Sequence, residues 1–179
     1  MYKLTHAQLA WRVAQDLPRS SHVYLGAGLP LGVPAYTRTD STVAFSTHLR
    51  AAASATPDLY VFAGAQVSER GDLSLRVPPD ADTSRALALA ATAPQVLVVM
   101  DFFAADGSAT LVPLCTGPLA QECCVTRVYT DIAVFDLKDG KVILCEIIEG
   151  ITLLSLQMEL EIDLLVSPHL GLIKAPTLK

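Results

Sequence analysis

Leu59-Tyr60-Val61-Phe62-Ala63-Gly64-Ala65-Gln66-Val67-Ser68-Glu69-Arg70-Gly71-Asp72-Leu73 is the stretch that decides the fold. Its first five residues are apolar and of strand length, and the chain turns polar at Gly64. A buried strand ending in a glycine-bearing polar loop is the layout of an α/β protein with its site at the strand's carboxyl end. Gln66, Ser68, Glu69, Arg70 and Asp72 have the chemistry to bind a ligand. Glu69-Arg70-Gly71-Asp72 also reads as an ordinary turn, and the residues alone leave both readings open.

The flanking segments extend the same pattern. Thr5 to Leu17 predicts an amphipathic helix, opened by a Thr5/Gln8 capping box and stopped by Pro18. Val23-Tyr24-Leu25 reads as a strand running into Gly26-Ala27-Gly28-Leu29-Pro30, where two glycines let the backbone approach a ligand or a neighbouring loop. Val43-Ala44-Phe45 is a further strand, followed by His48 and Arg50. These two fit either an acid–base group with an anion anchor or a surface loop. Val77 to Asp80 is an extended connector, and Asp82 or Thr83 caps a helix running to Ala93. Gln95 to Met100 reads as a buried strand, and Asp101 ends it at the edge of a cleft. Asp106-Gly107 is a turn, Thr110 to Leu114 is extended, and Thr116 to Leu119 is a loop. Ile132 to Asp136, the Asp139-Gly140 turn and Lys141 to Ile148 predict a β-hairpin. Thr152 caps a short helix, and Glu161 to Val166 is the last strand. Strands alternate with helices and several are apolar throughout, which predicts an open, mostly parallel sheet with helices on both faces. The expected organisation is one α/β domain over residues 1–166 and a C-terminal tail over 167–179.

The totals narrow the function. The 179 residues are 51% hydrophobic and 17% charged, with a net charge of −5, which excludes a disordered chain and argues against a nucleic-acid footprint. No apolar run is long enough for a bilayer, and polar residues interrupt any signal-peptide core near the N-terminus, so a cytoplasmic protein is expected. Cys115, Cys123, Cys124 and Cys145 lack zinc-ligand spacing, and four free thiols are expected. Cys123-Cys124 offers either a nucleophile or a partly buried thiol pair. His6, His22 and His169 are scattered, and no metal site is implied.

Five segments taken in order resemble the B (β) chain type of family I CoA-transferases, the 3-oxoacid class. They are Val23 to Pro30, Gly64 to Leu73, Val96 to Met100, Cys115 to Leu119 and Arg127-Val128-Tyr129-Thr130-Asp131-Ile132-Ala133-Val134-Phe135. The resemblance runs from Trp11 to Val166 and implies the CoA-transferase (NagB/RpiA-like) fold. It also implies an A-like partner subunit, in a heterodimer or heterotetramer, and an acyl-CoA or other acyl thioester as substrate with no cofactor. In the family a glutamate of the B-type chain attacks the thioester, and its anhydride stays reactive enough to pass CoA on. The family's Ser-Glu-Asn-Gly motif falls at Thr47-His48-Leu49-Arg50 here, which puts His48 at the glutamate's place. No Glu lies between His22 and Glu69, and the family's long stretch after Arg50 and its Gly-Gly-Ala-Met-Asp loop are missing as well. The resemblance therefore implies an acyl-thioester protein diverted from CoA transfer toward decarboxylation or carbon–carbon cleavage in a biosynthetic pathway. Two other readings are a non-catalytic subunit completing its partner's site, and chemistry on a different acyl carrier. The residues expected at the site are His48 and Glu69 as catalytic groups. Gly26, Ala27, Gly28, Arg50, Gln66, Ser68 and Asp72 are expected to bind the substrate.

Overall fold

The structure, a computed structural model, describes residues 2–49, 56–76 and 78–178. Helix α1 (His6–Asp16) is followed by β1 (Ser20–Leu25), a 3-10 helix (Leu29–Tyr36), β2 (Thr42–Ser46) and β3 (Leu59–Ala63). Then come β4 (Gln66–Ser68), β5 (Leu73–Ser74), α2 (Ala81–Ala90), β6 (Val96–Val99), β7 (Leu111–Val112) and β8 (Leu119–Gln121). The chain closes with β9 (Arg127–Tyr129), β10 (Ala133–Lys138), β11 (Lys141–Ile148), α3 (Leu153–Glu159) and β12 (Leu164–Ile173).

Eight strands form one sheet in the order β12-β11-β10-β9-β6-β3-β1-β2. The half from β2 to β9 is parallel throughout; β10 is antiparallel to both neighbours, and β12 returns parallel to β11. The parallel centre follows from residue type. Leu59 to Phe62 and Val96 to Val99 are buried without alternation, as strands covered on both faces must be. Tyr24, Tyr60 and Phe62 form one aromatic cluster, with the Tyr60 and Phe62 rings stacked at 6.2 Å. The capping box at Thr5 and Gln8 is in place, and Asp139 and Gly140 both take positive φ (54° and 68°), as a two-residue hairpin turn requires.

Four expectations are corrected. The stretch after Gly64 is not simply a loop: β4 and β5 pair antiparallel within a second sheet of order β7-β4-β5-β8, because Val67 and Leu73 are apolar enough to be fully buried there. Leu119, expected in a loop, begins β8 of that sheet. Helix α2 is capped by Asp80 rather than Asp82 or Thr83, with the Thr83 amide donating to the Asp80 carboxylate at 2.7 Å, and it stops at Ala90. The last strand does not end at Val166: β12 continues to Ile173, so much of the segment expected as a tail is docked on the sheet. Leu144 pairs with Val166 and Glu146 with Gly171, so Ser167 to Leu170 bulge opposite Cys145. Pro168 is tolerated there because the strand lies on the sheet's edge and the bulge asks no ladder bond of it.

Candidate functional site

The parallel register brings three strand ends to one edge of the sheet. Leu25 pairs with Val61 and Ala63 with Val99, and the next residue of each strand is still tied to its neighbour. The Gly26 amide donates to the Val61 carbonyl (2.8 Å), Gly64 to Val99 (3.1 Å) and Met100 to Tyr129 (3.1 Å). A cleft of about 570 Å³ opens over these carboxyl ends. Its floor is Gly26-Ala27-Gly28, Phe62-Ala63-Gly64 and Val99-Met100-Asp101, and its far wall is Leu75, Arg76, Pro78, Pro79, Asp80 and Thr83. Ligands of open α/β sheets bind at this place.

Two glycines make the floor possible. Gly28 has φ +85°, which a side chain would strain, and a Cβ on Gly64 would stand 2.6 Å from Val98 Cγ1. The amides of Ala27 and Gly28 donate no hydrogen bond to any described residue, so two adjacent residues of the cleft lining carry uncommitted N–H groups. Among the described residues, the ionisable groups on the cleft wall are His6, Arg76, Asp80 and Asp101, and no glutamate lines it. The Thr83 amide and hydroxyl hold the Asp80 carboxyl below the usual carboxylate range. His6 Nε2 lies 3.2 Å from Asp101 Oδ1.

Of the residues singled out in the sequence, Gly26, Ala27 and Gly28 line the cleft. Gln66, Ser68, Glu69 and Asp72 are not in its lining; they build the β4–β5 hairpin. Gln66 Oε1 accepts from the amides of Thr116 (2.9 Å) and Gly117 (3.3 Å) and so fastens the 116–117 loop to β4. The Ser68 hydroxyl donates to Asp72 (2.7 Å) and accepts from its amide (3.1 Å), and the other Asp72 oxygen accepts the Cys123 amide (3.0 Å). Burial would raise the Asp72 pKa, but the Ser68 hydroxyl and the Cys123 amide and thiol outweigh it and hold the carboxyl below its ordinary value. Glu69 is tied through its main chain, its amide donating to the Val112 carbonyl at 2.9 Å. His48 also lies outside the cleft lining, well exposed, with Nδ1 3.0 Å from Asp82 on the first turn of α2. Arg50 lies outside the described residues.

The cysteines are held as thiols. Burial pushes Cys124 up to about 12 and Cys145 up to about 11, and it raises Cys115 as well; Cys123 is raised by burial and by Asp72. A thiol held protonated is a poor nucleophile. Asp101, which the resemblance places at a strand end on the edge of the cleft, is in the lining, whereas His6, Arg76 and Asp80 do not stand out as wall residues in the sequence. The one local signal is the capping box, which fixes where α1 begins and therefore where His6 stands.

Known proteins share both this architecture and parts of this sequence. No family model matches the chain. It is 28% identical to the B-type chain of the 3-oxoadipate CoA-transferase of Acinetobacter baylyi over 87% of this chain and 93% of that one. With the beta chain of the acetate CoA-transferase of Escherichia coli K12 the identity is 32%, over 75% of this chain and 62% of the relative. Among solved structures, an acyl-CoA transferase apoenzyme (YdiF) from Escherichia coli O157:H7 superposes with a TM-score of 0.71 at 15% identity. That match covers 94% of this chain and 43% of the other, so the chain spans less than half of that enzyme. The decarboxylase AibA/AibB superposes with a TM-score of 0.66 at 16% identity, over 97% of this chain and 90% of that one. The structural likenesses speak to the fold; the sequence relatives, both of the B or beta type, speak to descent. No helix among the described residues is long and apolar enough to cross a membrane. By motif order, sequence relatives and fold together, the chain is similar to the B-type chains of the CoA-transferases, as a divergent relative of them.

Proposed function

We propose that the chain is the B-like half of a two-component enzyme that binds an acyl thioester in the cleft over β1, β3 and β6. In this reading it carries out decarboxylation or carbon–carbon cleavage rather than CoA transfer. The observation that carries the reading is the make-up of the cleft among the described residues: two uncommitted amides at Ala27 and Gly28, a guanidinium at Arg76, and no glutamate on the wall. Amide donors aimed at a thioester oxygen stabilise the enolate that forms when the neighbouring carbon loses a carboxylate. Arg76 is suited to hold that carboxylate before it leaves, because its planar guanidinium pairs bidentately with carboxylates. Transfer of CoA through the protein needs a carboxylate that can carry it as a thioester. The carboxylates lining the cleft are Asp80, committed to capping α2, and Asp101, paired with His6. The cleft is open to solvent on the chain alone, which fits an A-like partner closing it. The B-type relatives and the two-component name of AibA/AibB support such a partner.

The test is to co-express the chain with an A-like partner and incubate the complex with a panel of acyl-CoA esters and an added acid, following the esters by mass spectrometry. Loss of carbon dioxide or of a carbon fragment, with no CoA on the added acid, is the expected result. Unchanged esters beside a stable complex in native mass spectrometry would replace this reading with a non-catalytic chain that completes its partner's site.

A further inference from the structure

The cleft holds one pair of side chains that its three strand ends do not by themselves explain. His6 and Asp101 are 95 residues apart in sequence, yet His6 Nε2 meets Asp101 Oδ1 at 3.2 Å, and both line the cleft. His6 also lines the smaller cavity beside it, as do Gly28 and Leu29 of the glycine loop, so the imidazole stands at the seam between the two spaces.

The pairing is built from both sides onto one buried residue. On the helix side, the Leu4 amide donates to the Asp131 carbonyl at 2.8 Å, Leu4 itself is buried, and the capping box at Thr5 then sets His6 as the first residue of α1. On the strand side, the Phe102 amide donates to the Asp131 carboxylate at 2.8 Å, and the Thr110 hydroxyl donates to the Asp101 carbonyl at 2.7 Å. Asp131 is 4% exposed and joins the residue two before His6 to the residue one after Asp101. This gives a role to the Arg127-to-Asp131 segment, which takes no part in the cleft floor or wall. The other histidines are placed differently. His48 pairs with Asp82 on α2, His22 faces Ser46 between β1 and β2, and His169 lies exposed on β12.

We infer that His6 is the proton carrier of this cleft and that Asp101 is its positioning partner, an inference that rests on the acyl-thioester reading above. An Nε2–H donated to Asp101 leaves Nδ1 as the free base in the neutral imidazole, and the partner fixes which nitrogen does the work. In decarboxylation the bond from the substrate carboxyl to its carbon breaks, carbon dioxide leaves, and the electron pair passes into the thioester as an enolate. The imidazolium of His6 gives that carbon its proton, becomes neutral, and takes a proton back from water. Run on an ester with no carboxylate to lose, the same group removes a proton from the carbon next to the thioester and returns one from solvent. That exchange makes the proton carrier visible apart from the net reaction.

The experiment uses the co-expressed complex in D₂O with two kinds of ester, one bearing a carboxylate able to leave and one saturated and unable to decarboxylate. Mass spectrometry reads carbon dioxide loss in the first and deuterium gain in the second. His6→Gln should lower both by at least about 100-fold, the usual size of an acid–base contribution. Asp101→Asn, which keeps a hydrogen-bond acceptor and removes the charge, should move the pH profile of the exchange while the ester still binds, and His169→Ala should leave it in place. Turnover that persists in His6→Gln, or that is lost in His48→Ala while His6→Gln retains it, overturns this inference and leaves the acyl-thioester reading standing. His6-dependent deuterium gain without any carbon dioxide loss supports the inference and removes decarboxylation. Neither signal in the wild-type complex overturns both.

Discussion

Replacing Asp131 by Ala removes the acceptor that holds the Phe102 amide, and Phe102 is fully buried, so no water takes its place. A buried donor left without a partner costs about 1–3 kcal/mol. The second Asp131 oxygen lies 3.4 Å from Lys3 Nζ, but Lys3 is 65% exposed, and such a pair adds less than about 1 kcal/mol. In a chain of this size each kcal/mol moves the melting temperature by about 2–4 °C, so Asp131→Ala, which loses both contacts, should melt about 2–16 °C below the wild type. Asp131→Asn keeps an oxygen for the Phe102 amide and loses only the exposed ion pair, so its melting temperature should fall by no more than about 4 °C. Thermal melts by circular dichroism on the three proteins decide the matter. If Asn melts as low as Ala, charge and not the amide acceptor is what matters at Asp131. If Ala melts with the wild type, the Asp131 carboxylate does not hold the Phe102 arm, and the strand side of the His6–Asp101 pair loses its physical basis.

Three further outcomes follow from the packing. Gly64→Ala sets a Cβ 2.6 Å from Val98 Cγ1 and 3.3 Å from Met100 Sδ, and overpacking of this kind should cost about 1–3 kcal/mol in urea unfolding. Arg12 is buried between Glu146 (Nε to Oε2, 2.6 Å) and Asp16 (2.8 and 3.1 Å), and Asp16 also accepts the Tyr129 hydroxyl at 2.7 Å. Arg12→Ala strands Glu146 and leaves Asp16 only Arg127 and the Tyr129 hydroxyl, and it should cost about 2–4 kcal/mol, less than a fully buried pair because both carboxylates remain partly exposed, while Arg12→Met with Glu146→Leu should recover most of the loss in the same assay. Cys124, at about 12, holds about one thiolate in ten thousand at pH 8, and Cys145, at about 11, about one in a thousand; iodoacetamide should leave both unmodified in the folded protein and label both in urea, as read by peptide mass spectrometry.

Much of the frame was legible because it is carried by local chemistry. The capping box at Thr5 and Gln8, the apolar runs of β3 and β6 and the Asp139-Gly140 turn each need only neighbouring residues to be read. The second sheet was not legible, because β4, β5, β7 and β8 are two or three residues long and too short to show a period. The cap of α2 was placed at Asp82 or Thr83 because both are good capping residues, and the extended backbone at Asp80 selects that residue instead. At the site, Gly26 and Gly28 could be found from the strand-then-glycine pattern. Asp101 could be placed at the cleft's edge from its strand end, but His6 and its pairing with Asp101 could not, since their meeting depends on a contact across 95 residues and on the Asp131 tie. Gln66, Ser68, Glu69 and Asp72 looked equally suited to a site or a turn; their partners in the structure are those of a hairpin and its neighbouring loop.

The most direct test of the proposed chemistry is the intact mass of this chain after the complex has met an acyl-CoA ester and an acceptor acid. If the cleft works without an attacking carboxylate, the chain's mass stays unchanged while the ester loses carbon dioxide or a carbon fragment. A chain heavier by the mass of bound CoA, with CoA appearing on the added acid, would contradict it and return the protein to the transferase chemistry of its relatives.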